Sequence, residues 1–131
     1  MPNKSTIDKL ASLLDTAPYA VIIGDPKGRM LFINKFAMQL YGDIHKSKSP
    51  QDWPTHATAF SNGEKLKPND YPLIRALKGE LVSEMELDVV GHDTGKRFVI
   101  AVTAHPLHED GELIGAMSIH RLVKTKKKSG S

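Results

Sequence analysis

The sequence predicts an α+β fold built on one antiparallel sheet. Three observations lead there. The chain from Met85 to Val123 is a series of apolar-rich segments joined by short turns at Asp93-Thr94-Gly95 and Glu109-Asp110-Gly111. The stretch Tyr19 to Gly42, YAVIIGDPKGRMLFINKFAMQLYG, reads strand, turn, strand, helix with almost no slack. The regular βαβ alternation that a parallel sheet needs is missing.

Each element has a local cause. Ser5-Thr6-Ile7-Asp8 reads as a helix start with the Ser5 hydroxyl as cap, and Ile7, Leu10, Ala11 and Leu14 fall on one face at helical spacing. Pro18 ends that helix. Its stripe needs a cover, either its own domain, a second protomer, or both. Tyr19–Ile23 and Met30–Ile33 are apolar strands around an Asp25-Pro26-Lys27-Gly28 turn. Asn34 stands where a helix N-cap belongs and Gly42 where a C′ residue belongs. Asp43 to Pro54 is polar and broken by Pro50 and Pro54, which fits short helical turns. Asn62-Gly63 between short alternating segments signals a hairpin. Pro68-Asn69-Asp70 leads into a helix whose apolar face is Leu73, Ile74 and Leu77, closed by Gly79. Met85, Leu87 and Val89 alternate with Glu86 and Asp88. Arg97 to His105 is the longest strand, closed by Pro106, and Leu113 to Val123 is the last. The three final strands form a meander, and the first two pair with them at long range.

Composition narrows the function. A length of 131 residues suits one domain, and the absence of cysteine excludes disulfides, thiolate metal sites and cysteine nucleophiles. Removing Lys124, Lys126, Lys127 and Lys128 turns the formal charge from +3 to −1, so the body carries no basic face for nucleic acid. No apolar run approaches the roughly 18 residues of a membrane span, and the N-terminus lacks the apolar core of a signal peptide. A cytoplasmic location is expected. The boundaries read as a flanking helix over 1–17, a folded domain over 18–123 and a disordered basic tail over 124–131.

Three blocks carry a family resemblance. They are the Asp25-x-x-Gly28 turn with Asn34 and Leu40-x-Gly42, the segment PLIRALKGE at 72–80, and HPLHEDGELIGAM at 105–117. Together, over roughly residues 15–123, they resemble the PAS domains of bacterial sensor kinases and cyclic-dinucleotide enzymes. The resemblance implies a five-stranded antiparallel sheet in order 2-1-5-4-3, with helices over one face and a cavity between. At the C-terminus, Leu122-Val123-Lys124 stands where many signalling PAS domains carry Asp-Ile-Thr before a linker. The chain is read as a stand-alone module or as an input domain cut from a longer protein.

Strand alternation then sorts the faces. By the resemblance, Phe98, Ile100, Val102 and Ala104 point to the cavity. So do Ile22 and Ile33 on the first strands, Met85 and Leu87 on the third, and Met117 and Ile119 on the last. The helices add Ala37, Leu40, Tyr41, Leu73 and Leu77, and Trp53 either stacks on a ligand ring or caps the core. An apolar set of this kind is also what an ordinary filled core looks like. A ligand held by it is apolar, such as a fatty acid or small aromatic. Val99, Ala101 and Thr103 line the other face. With Ile7, Leu10 and Leu14 they are the expected homodimer contact.

Cofactors and catalysis find little support. A LOV-type flavin adduct and a cinnamoyl chromophore each need a cysteine. Haem sensors of this family place the axial histidine on the helix that here reads YPLIRALKG, which has none; His45 and His56 stand nearby. Haem and non-covalent flavin stay open, and no cofactor is required. His105, His108, Glu109 and Asp110, like His92-Asp93, fall in turns and read as solvated polar edges, not metal sites. No nucleophile elbow, P-loop or zinc-protease motif is present. The leading reading is a sensory module that binds a small apolar ligand, forms a homodimer, or both, with a downstream signalling protein as a further partner and no activity of its own. The alternatives are a ligand-free interaction domain and, more remotely, an enzyme on a similar curved sheet.

Overall fold

The computed structural model of the chain describes residues 4–42 and 52–126. In chain order the elements are α1 (Lys4–Leu14), β1 (Ala20–Gly24), β2 (Met30–Ile33), α2 (Lys35–Tyr41), α3 (Trp53–His56), β3 (Ala57–Ser61), β4 (Glu64–Lys65), α4 (Pro72–Leu77), β5 (Val82–Gly91), β6 (Arg97–Glu109) and β7 (Glu112–Lys126). All strands belong to one sheet, ordered β2-β1-β7-β6-β5-β3-β4, and every pairing is antiparallel. Its first five positions are the expected 2-1-5-4-3 order. The β3–β4 hairpin extends that sheet past β5, giving seven strands where five were expected. The hairpin turn itself follows from Asn62 and Gly63, which take φ of 53° and 83°, the paired positive values of a type I′ turn.

Several boundaries differ from expectation. The first helix is described from Lys4, so Ser5 stands within it and not ahead of it. Strand β6 does not stop at Pro106 but runs to Glu109. Pairing with β5 ends at Ala104, so Pro106 has a neighbour only in β7 and its missing N–H breaks no interior ladder. The last strand continues through Lys124 to Lys126, past the expected domain end at Val123. There Lys124 pairs in register with Val99, and the Lys126 ammonium meets the Asp88 carboxylate. His45 and the rest of the 43–51 stretch lie outside the described residues, as does 127–131.

Both faces of the sheet are apolar and each has its own cover. On the inner face Ile22, Ile33, Leu87, Phe98, Ile100 and Val102 pack with Ala37, Leu40 and Tyr41 of α2 and Leu73, Ile74 and Ala76 around α4. On the outer face Val21, Ile23 and Ile114 pack with Ile7 of α1, flanked by Leu10, Leu14, Met117 and Ile119. Strands β1 and β7 approach closely at Gly115, where an added Cβ would stand 2.3 Å from the Gly24 carbonyl oxygen, so only glycine fits.

Asn34 ties these layers together. Its side chain is fully buried. The Oδ1 atom accepts from the backbone N–H of Val21 at 3.0 Å and of Ala37 at 3.0 Å. Its amide donates to the carbonyls of Leu14 and Tyr19, each at 2.9 Å. One side chain thus caps α2, fixes β1 and holds the end of α1. The helix closes as expected at Gly42, with φ 82° and its N–H on the Met38 carbonyl at 2.8 Å.

Replacing Asn34 by Ala removes the cap and strands four backbone groups, two of them buried and two part-buried. Chemical denaturation should show a loss of about 3–5 kcal/mol. An Asn34→Ala protein within about 1 kcal/mol of wild type would show that the clamp is unimportant.

Candidate ligand-binding site

A cavity of about 80 Å³ lies between the inner face of the sheet and the helices. Its wall includes Ile22, Met30, Ala59, Leu87, Val89, Ile100 and Val102 from the strands. Tyr41, Trp53, His56, Tyr71, Pro72 and Leu73 close it from the other side. Of the expected lining residues, Ile22, Tyr41, Trp53, Leu73, Leu87, Ile100 and Val102 are in this wall. Ile33 and Ala37 belong to the same inner core without lining the cavity, and Leu77 and Met85 pack against that core half-buried.

Met117 and Ile119 are corrected: they lie on the outer face, packed with the Val21–Ile23 cluster under α1. The register decides it. Ser118 pairs with Ile22 and His120 with Val102, so these two polar residues face inward and the alternating Met117 and Ile119 face outward. A strand whose two faces are both covered gives no polar side from which to fix the parity.

The inward turn of β7 places a polar chain in an otherwise apolar wall. The Tyr41 hydroxyl lies 2.5 Å from His120 Nδ1, and His120 Nε2 lies 2.9 Å from Ser118 Oγ. The Tyr41 ring meets the edges of Phe98 and His120, with centroids 5.6 Å and 5.5 Å away. Burial pushes the Tyr41 phenol well above its ordinary range and pushes His120 down to about 4. Both groups are therefore neutral near pH 7. Ser118 and His120 have the contact of a nucleophile and its base, yet the third member is a neutral phenol. Among the described residues no carboxylate bonds to His120 to stabilise an imidazolium, and His120 is a weak base. The arrangement suits holding neutral groups.

A second polar stitch stands where α3 meets the β5–β6 turn. His56 Nδ1 lies 3.0 Å from an Asp93 oxygen, and His92 Nε2 lies 2.7 Å from the Thr58 hydroxyl. The His92 N–H donates to the His56 carbonyl at 2.8 Å. These bonds hold α3, and with it Trp53, against the sheet. Among the described residues no three His, Asp or Glu side chains come together as a metal site.

The expected dimer contacts divide. Ile7 is buried against its own sheet, and Leu10 and Leu14 are half-buried there. Val99 and Ala101 are only 5% and 3% exposed in the single chain. In register, Val99 lies between Asp88 and Lys124, and Ala101 between Glu86 and Arg121. The Thr103 hydroxyl accepts from the Glu84 N–H at 3.2 Å, and Glu84 pairs with Arg121 at 2.7 Å. Arg75 pairs with Glu80 at 3.2 Å.

No family model and no curated protein matches the sequence. Solved structures do match. The PAS domain of an HTR-like protein from Haloarcula marismortui superposes with a TM-score of 0.58 at 16% identity, over 92% of this chain and 93% of that one. A Rhodobacter sphaeroides LOV protein gives 0.63 at 12% identity, over 98% of this chain and 71% of that one. The PAS domain of nitrogen regulation protein NR(II) from Vibrio parahaemolyticus gives 0.54 at 18% identity, over 86% and 96%. The chain has the PAS fold.

His120 makes stability depend on pH with a definite sign. Unfolded, it takes a proton near its ordinary 6.5; folded, it holds off until about 4. Its effect is therefore nil above about pH 6.5, and stability falls as pH drops from there towards 4. The loss is on the order of 1–3 kcal/mol. In thermal melts across this range, His120→Gln should lose less stability than wild type. Parallel curves for the two proteins would contradict the buried, neutral imidazole.

Proposed function

We propose that the chain is a sensory PAS module that takes a small, mainly apolar molecule into the cavity and signals through its assembly with other copies or a downstream protein. The observation that carries this reading is the cavity itself. It sits in the centre of the domain, and Ala57, Ala59 and Ser118 leave space where larger side chains would fill it. Among the described lining residues there is no Lys, Arg, Asp or Glu. Such a wall favours an apolar ligand and disfavours a charged metabolite, which would lose its hydration without gaining a counter-charge. Haem and flavin ring systems are far larger than 80 Å³ and need the helices to move apart. The structural neighbours include a LOV protein and a nitrogen regulation protein, which agrees with sensing. On this reading the module works without catalysis of its own, in the cytoplasm, and apart from nucleic acid.

A homodimer is the second part of the proposal. The outward side of α1 presents Leu13 at 77% exposure, beside the half-buried Leu10 and Leu14. The helix can therefore serve its own sheet through Ile7 and a second protomer through Leu13. Filling of the cavity would act by shifting the population of dimer arrangements.

A panel of small hydrocarbons, ketones, phenols and short fatty acids should contain compounds that raise the melting temperature. A ligand at a hundred times its Kd adds about 2.7 kcal/mol. Ala59→Leu should abolish the shift by filling the space. No shift across the panel, with only the apo mass in native mass spectrometry, would leave the ligand-free interaction domain as the answer. Light scattering should find a dimer for wild type and a monomer for Leu13→Glu, with the fold unchanged because Leu13 packs in neither core. A monomeric wild type at high concentration would reject the dimer.

A further inference from the structure

Trp53 is more than nine-tenths buried and stands in the cavity wall. Among the described residues its indole N–H has no hydrogen-bond partner. That is unusual, because buried donors are nearly always paired and an orphan carries its full desolvation penalty. The other polar groups of the wall make no such demand. Tyr41, His120 and Ser118 satisfy one another, His56 pairs with Asp93, and the Tyr71 hydroxyl donates to the Ala57 carbonyl at 3.4 Å. The indole is also held in place. Trp53 opens α3, its carbonyl accepts from the Ala57 N–H, and its ring packs on Tyr71 with centroids 5.8 Å apart.

We infer that the molecule held in this cavity carries a hydrogen-bond acceptor and no charge, and that the Trp53 indole N–H binds the acceptor. The inference rests on the proposed ligand role of the cavity and specifies its chemistry. A carbonyl, ether or hydroxyl oxygen supplies the missing acceptor. A cation would bring a donor to a donor. A carboxylate would pair with Trp53 but leave a net charge buried in a wall with no Lys or Arg among its described residues. The volume of about 80 Å³ limits the body of the ligand to roughly one small ring.

Three probes of one shape test this: cyclohexanone, methylenecyclohexane and cyclohexylammonium. The ketone differs from the alkene only in offering an acceptor. Its greater affinity for water cancels when each probe is compared between wild type and Trp53→Phe. The substitution should weaken cyclohexanone roughly tenfold, the worth of one buried hydrogen bond. It should change methylenecyclohexane by less than about twofold, and cyclohexylammonium should bind neither protein. The chain has one tryptophan, so ¹⁵N NMR gives a single indole cross-peak. That peak should move downfield with cyclohexanone and not with the alkene, a readout that needs no variant. Equal losses for ketone and alkene, or an indole peak indifferent to the ketone, overturn the acceptor contact while leaving the cavity reading intact. Binding of cyclohexylammonium overturns the neutral-ligand part. Failure of all three, together with the wider panel, overturns the cavity reading itself.

Discussion

The Asn34 side chain holds the layers of this domain in register. A primary amide offers two donor hydrogens and an oxygen that accepts twice, and here all four positions are used on backbone groups. Three of the four partners belong to three different elements, and the fourth, Tyr19, directly precedes β1. Val21 is in the interior strand β1, Ala37 is in the first turn of α2, and Leu14 ends α1. The Lys35 N–H reaches the Asp15 carbonyl at 3.4 Å and adds a second, weaker tie at the same place. The consequence reaches both faces. Through α2 the clamp positions Tyr41 in the cavity wall, and through α1 it positions the cover of the outer face. A buried polar network of this kind specifies one arrangement because any other leaves its members unpaired.

The cavity follows from neutrality as much as from space. Tyr41 keeps its proton and His120 stays without one, both because burial disfavours the charged form. The two polar points of the wall then differ in kind. The Tyr41–His120–Ser118 chain is complete in itself and gives the inner core a fixed geometry. The Trp53 indole is without a partner among the described residues, and in the proposed role it is the point at which a ligand is told from a plain hydrocarbon. Among the described lining residues the wall carries His120 as a weak base and no Lys, Arg, Asp or Glu.

Much of this was legible in the sequence because it is encoded locally. Asn34 and Gly42 were readable as helix ends, and Asn62-Gly63 as a hairpin. The strand order came from the resemblance to PAS domains. What was not legible depended on distant partners. Ser118 and His120 were hidden because β7 is covered on both sides, by α1 outside and the helices inside, so its alternation has no solvent face to anchor it. Pro106 read as a strand end because its safety depends on where β5 stops, which the local sequence does not show. The strand through Lys124–Lys126 read as a solvated tail because its partners, Val99 and Asp88, lie far away in the chain. The exposure of Leu13 became visible only when Ile7 was seen to face its own sheet.

The most direct test of the clamp is an Asn34→Asp substitution, followed by equilibrium denaturation at neutral pH. Aspartate is as good an N-cap as asparagine and its charge suits a helix N-terminus, so a residue that merely caps α2 tolerates the change. A clamp does not, because the new carboxylate oxygen points at the Leu14 and Tyr19 carbonyls and has no hydrogen to give either. The account predicts a loss of at least about 3 kcal/mol. Stability within about 0.5 kcal/mol of wild type would contradict it.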